Sequence, residues 1–162
     1  MVALITATIS HVQRISSKLR PGILDDLGLS AAIEWYAEEF ENRTKIHAIM
    51  DLDEVQTKSD PKNLAIFRVL QEALTNVIRH AKAKTLHITL HETSQNIILE
   101  VADDGIGIPV EKLKSIKSLG LLGMQDRVKQ AGCTIIISNG DVCGTKIRLS
   151  ISVEDSPETN KK

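Results

Sequence analysis

From Phe67 to Ala83 the chain reads FRVLQEALTNVIRHAKA. Leu70, Leu74, Val77 and Ile78, with Ile66 just ahead, fall at helical spacing and predict one amphipathic helix. Glu72, Asn76, Arg79 and His80 occupy an adjoining sector, because residues three or four apart are neighbours on a helix. Asp60 followed by Pro61 offers an N-cap and a first-turn proline for that helix.

The rest of the chain is organised around this stretch. Val2, Ile5, Ile9, Val12 and Leu19 follow steps of three and four, with Ser16 interrupting the seam. This heptad-like spacing predicts a helix suited to a bundle or packed on its own domain, stopped by Pro21 and Gly22. A second helix is expected from an N-cap at Ser30, with Ile33, Ala37 and Phe40 on one face and Trp35 and Tyr36 beside it. Period-two alternation predicts strands over Lys45–Leu52 and Thr85–Glu92, and a more apolar one over Asn96–Asp103. DDGIGIP follows as a glycine-rich loop. Residues 110–119 carry no strong pattern, and GLLGMQDRVKQAG predicts a short helix ended by Gly132. Two final strands, Cys133–Ser138 and Thr145–Ile151, flank a turn at NGDVCG, and the tail is polar. Helices and strand pairs cluster, which argues for an α+β two-layer sandwich over a strictly alternating parallel fold.

Composition narrows the function classes. Apolar residues make up 42% of the 162, enough for a core, while aromatics are only 2%, so the core is aliphatic. Trp35, Tyr36 and Phe40 lie within one short span and suggest a local packing cluster, not a base-stacking platform. A net charge of -1 leaves no field favouring nucleic acid or an anionic membrane. Cys133 and Cys143 lack metal-ligand spacing and read as reduced thiols of a cytosolic protein. No apolar run reaches membrane-spanning length, and the opening MVALITATIS lacks the flanks of a signal peptide.

Three further segments carry candidate chemistry. In DDGIGIP, Gly105 and Gly107 permit close approach of a ligand, and Asp103 at a strand end can accept a hydrogen bond from an exocyclic amine. Taken alone, the segment reads as an ordinary turn after a strand. In GLLGMQDRV, glycines at a helix start can expose N–H groups to an anion, or simply lead into a core helix. In GTKIRLSI, Thr145 can reach a ligand or merely suit a pleated surface.

The order is more specific than any part. A helix with E-x-x-x-N-x-x-R-H precedes D-x-G-x-G, then G-x-x-G, then G-T-K in a strand. This succession resembles the N, G1 and G2 boxes and terminal G-T motif of the ATPase superfamily shared by gyrase, heat-shock chaperones, sensor histidine kinases and mismatch-repair proteins. The LRPGILDDLGLSAAI segment is similar to that of the nitrate-sensor and thermosensor subfamily of histidine kinases. The resemblance spans about residues 12–152. It implies a Bergerat-type ATP-binding fold, with a mixed, mostly antiparallel sheet carrying helices on one face, preceded by a short N-terminal helix. It also implies ATP and Mg²⁺ as cofactors. Residue by residue, it makes Asn76 the Mg²⁺ ligand and Glu72 the acid that polarises the attacking group or orients metal-bound water. Arg79 faces the phosphates and His80 lies along base and ribose. Asp103 reads the adenine amino group, Gly105 and Gly107 shape its loop, and Thr145 supports the adenine end. Residues 110–119 match the ATP lid, and Gly120, Leu122 and Gly123 complete the nucleotide site at its end.

The resemblance divides the chain into residues 1–20, the end of a dimerisation-bundle helix, residues 21–152, the catalytic domain, and residues 153–162, a tail expected to be disordered. It implies a homodimeric parent and a response regulator as partner, and leaves open a membrane-anchored parent with this part in the cytoplasm. No nucleic acid or direct membrane contact is expected. The H-[DE]-L phosphoacceptor motif of this subfamily does not occur here. His11 is followed by Val12, and His47, His87 and His91 read as surface residues. Two other readings share the pocket: an anti-sigma-type serine kinase, and a non-catalytic interaction module with a degenerate pocket. The chain alone is expected to bind Mg·ATP without phosphorylating itself; incubation with labelled ATP should leave no acid-labile phosphate on it.

Overall fold

The computed structural model describes residues 22–55, 60–109, 133–140 and 142–153. The helix expected before Pro21, the segment 110–132 and the end of the tail lie outside these residues.

Five strands form one sheet in the order β1-β2-β3-β5-β4. These are β1 His47–Leu52, β2 Thr85–Glu92, β3 Asn96–Asp103, β4 Cys133–Asn139 and β5 Thr145–Ser152. β1 runs parallel to β2, and the other pairings are antiparallel. The α+β sandwich with a mixed, mostly antiparallel sheet is therefore observed. Alternation fixes the two faces of the sheet. Leu86, Ile88 and Leu90 of β2, Ile97, Leu99 and Val101 of β3, and Ile147, Leu149 and Ile151 of β5 are buried in the core. Their polar neighbours form the other face, where Glu100 lies 3.1 Å from Lys146 Nζ and 3.3 Å from Arg148 Nη1 across the β3–β5 pair.

Against the apolar face lie α1 (Gly22–Leu27), α2 (Leu29–Thr44) and α3 (Asp60–Asn76). α1 forms in the interval between Pro21 and Ser30 for which no helix is expected above, and Leu24 anchors it in the core. Tyr36 of α2 meets Phe67 of α3 edge to face, with ring centroids 5.4 Å apart. The aromatic cluster thus joins two helices, while Trp35 is 44% exposed.

Ser30 is not the cap of α2. Gly28 occupies that position at φ +85°, and the Ser30 hydroxyl instead donates to the Asp53 carbonyl at 2.7 Å and accepts the Val55 N–H at 3.3 Å. A positive φ favours glycine there, and the serine ties the start of α2 to the segment after β1. At its other end α2 stops at Lys45, which is left-handed at φ +63°. Glu41 near that end accepts the Ala48 N–H at 2.9 Å and sits 3.1 Å from His47 Nδ1. A side chain thereby satisfies an edge-strand amide.

The predicted single helix to Ala83 is also corrected. After Asn76 the chain makes a π-helical turn, Val77–Ala81, ending at left-handed Lys82. Hydrogen bonds to the fifth residue widen that turn and take Ile78 off the apolar row, leaving it 49% exposed. Phe67 of α3 has no exposed surface and packs against Tyr36 of α2. Phe67→Ala is expected to lower unfolding free energy by about 3–5 kcal/mol in urea titrations.

Candidate nucleotide site

Asp103 ends β3 on the buried side of the sheet, with 8% of its surface exposed. Its Oδ1 accepts the Gly105 N–H at 2.9 Å. Burial pushes the Asp103 carboxyl up from its usual range; the Gly105 N–H and the Thr145 N–H and hydroxyl pull in the opposite direction. Asp103 and Gly105 are thus brought together with Thr145, which is distant in sequence.

Backbone packing shapes the loop after Asp103. Ile106 donates its N–H to the Ala81 carbonyl at 2.8 Å. A Cβ on Gly105 would overlap that same carbonyl, and one on Gly144 would overlap the Asp103 carbonyl. Gly144 also holds φ +76°. Glycine is therefore required by space at position 105, and by both space and conformation at position 144. The π-helical turn presents Ala81 to this loop, so the helix carrying Glu72 and Asn76 is fastened to it.

Asp104, the second acid of the pair, has a structural role. Its Oδ1 accepts the Lys84 N–H at 2.7 Å and the Thr85 N–H at 3.0 Å, where β2 begins. The hydrogen bond from the Thr85 N–H holds the Asp104 carboxyl below the usual range against a smaller effect of burial, and the Lys84 N–H adds to it. Adjacent aspartates are thus driven in opposite directions, one by burial and one by backbone donors.

Glu72 and Asn76 lie one helical turn apart on α3, both half-buried. Neither enters a side-chain hydrogen bond or ion pair among the described residues, unlike their neighbours Thr75, bonded to the Gln71 carbonyl, and Arg68, bonded to the Gln71 side chain. A carboxylate and a carboxamide oxygen are hard donors suited to Mg²⁺, which takes few protein ligands and fills its octahedron with water and phosphate oxygens. No group of three His, Cys, Asp or Glu gathers among the described residues. Arg79 and His80 are exposed on the π-helical turn. Gly120, Leu122 and Gly123 fall outside the described residues.

Asp104, Gly144 and the Ala81 carbonyl were not among the candidates read from the sequence. The doubled acid of DDG was the available signal for Asp104; a backbone carbonyl leaves none.

Residues 62–155 match the model of the Histidine kinase-, DNA gyrase B-, and HSP90-like ATPase family, and the chain belongs to that family. ATP is the nucleotide this membership implies. The chain is 33% identical over 148 residues to the oxygen sensor histidine kinase NreB of Staphylococcus carnosus, covering 91% of this chain and 43% of that protein. It therefore spans less than half of that relative. Among solved structures, the histidine kinase AdeS of Acinetobacter baumannii superposes with a TM-score of 0.65 at 24% identity, covering 93% of this chain and 81% of that one. The histidine kinase domain of the blue-light activated kinase of Erythrobacter litoralis EL346 gives 0.66 at 22% identity, covering 77% and 61%. At these identities the structures establish the shared fold.

The two aspartates give opposite pH signatures in the nucleotide-free protein. A raised native pKa contributes stability at low pH that is lost as Asp103 ionises; a lowered one contributes stability above the carboxylate range that is lost on acidification. Relative to wild type, Asp103→Asn should therefore gain in melting temperature between pH 3 and 7, and Asp104→Asn should lose, as read by thermal melts across that range.

Proposed function

We propose that this chain is the ATP-binding catalytic part of a sensor histidine kinase, which moves the γ-phosphoryl of Mg·ATP to a histidine on a dimerisation helix for relay to an aspartate of a response regulator. The observation that carries this reading is the buried Asp103, hydrogen-bonded by the Gly105 N–H, with Thr145 nearby, at a loop fastened to the helix of Glu72 and Asn76.

In this reading Asp103 accepts from the adenine amino group, and Thr145 supports that end. Gly105 and Gly107 keep the loop free of side chains that would bar the base. Asn76 offers its amide oxygen to Mg²⁺, which when bound neutralises phosphate charge as the γ-phosphoryl departs. Glu72, one turn away, polarises the incoming histidine or a water. Arg79 faces the phosphates and His80 the base and ribose, while Gly120, Leu122 and Gly123 close the phosphate end. Phosphoryl transfer asks mainly for such positioning and charge neutralisation.

The acceptor histidine is assigned to a partner helix because none of the chain's five histidines stands in an H-[DE]-L context. Residues 1–20 are the end of the dimerisation bundle, residues 21–152 the catalytic domain and residues 153–162 a tail. The parent is a homodimer with this part in the cytoplasm. Among the described residues no helix is long and apolar enough to cross a membrane.

The test mixes the chain with a separately expressed bundle that carries the phosphoacceptor helix, in the presence of labelled Mg·ATP. Acid-labile phosphate should appear on the bundle, and Asn76→Ala should slow its appearance on the order of a hundredfold. Labelling of serine instead, or no labelling while ATP is bound, would count against a histidine kinase.

A further inference from the structure

Asn139 is the last residue of β4, in an Asn-Gly turn that by sequence alone needs no explanation beyond the turn itself. Its side chain does more. Oδ1 accepts the Ile108 N–H at 2.9 Å. A main-chain N–H only donates, so it is the oxygen of the carboxamide that faces the loop. A Cβ on Gly107 would stand 3.0 Å from that oxygen and 3.0 Å from the Gly144 carbonyl, with Gly107 itself at φ +72°. The second loop glycine therefore threads between Asn139 and Gly144. The turn that provides both is closed by the Gly140 N–H donating to the Gly144 carbonyl at 2.9 Å.

The register gives this contact its meaning. Asn139 pairs with Thr145 across the β4–β5 ladder. Thr145 follows Gly144, whose backbone packs against Asp103 before the first loop glycine, and Asn139 accepts from Ile108, after the second. The cross-strand pair thus stands beside both ends of the D-x-G-x-G loop, and Asn139 holds the far end by a hydrogen bond.

We infer that Asn139 is a positioning residue of the nucleotide pocket, holding the far end of the glycine loop in its binding shape through the Ile108 amide. This rests on the nucleotide reading proposed above. Its effect is pre-organisation: a loop already ordered loses less freedom when ligand binds. Asn139 is itself solvent-exposed, so one hydrogen bond of ordinary strength is at stake, equivalent to roughly three- to tenfold in affinity.

The test uses the full chain and Mg·ATP titration. Asn139→Ala should raise the dissociation constant by roughly that factor, while the nucleotide-free melting temperature stays within about 3 °C of wild type. Asn139→Asp keeps an acceptor oxygen on the same stem and should recover most of the affinity. Amide exchange at Ile108 should be slow in the wild type and in Asn139→Asp, and fast in Asn139→Ala. Unchanged affinity in Asn139→Ala, equal loss in both variants, or a lowered melting temperature with affinity intact each overturns the inference. If the wild type takes up no Mg·ATP, the nucleotide reading itself has failed, and Ile108 exchange still decides whether Asn139 holds the loop.

Discussion

A carboxylate buried at the end of a central strand is the constraint on which the rest of the site depends. Removing Asp103 from water disfavours its charge, and the fold answers with polar groups on both flanks: the Gly105 N–H, which donates to its Oδ1, and the nearby polar groups of Thr145 on the neighbouring strand, which also favour the ionised form. To bring those groups so close, side chains must be absent at Gly105 and Gly144, where any Cβ would overlap backbone. The glycines follow from the buried acid as much as from a ligand.

The same economy explains why the helix and loop form one unit. α3 is held in the core by Ile66, Phe67, Leu70, Ala73 and Leu74, all almost fully buried. Its π-helical end then delivers the Ala81 carbonyl to the loop. Glu72 and Asn76 are thereby carried on a rigid support fixed relative to Asp103, and Asp104 pins the loop to the start of β2. Precision at a polar site is supplied by an apolar core and by main-chain bonds.

Much of this was legible in the sequence. Strand alternation placed β2 and β3 at their observed ends, because each has one buried and one exposed face. The helix of Glu72 and Asn76, and Asp103 at a strand end, were legible for the same reason. The errors came where tertiary contacts overrule local pattern. Ser30 has the chemistry of a cap, yet Asp53 and Val55 claim its hydroxyl. Ile78 has the spacing of a core residue, yet the widened turn expels it. Asn139 and Asp104 act on backbone groups distant in sequence, and such partners leave no periodic trace.

The link between Ile106 and Ala81 joins one main chain to another. Replacing the side chain at either position leaves both bonding atoms in place; only a proline at 106 would delete the donor. A scan by alanine would therefore pass over the joint between helix and loop in silence. Position 106, where the side chain is 71% exposed, can change its side chain and keep the joint, whereas Ala81 is buried in the core, so what constrains the residue type there is packing and not the bond.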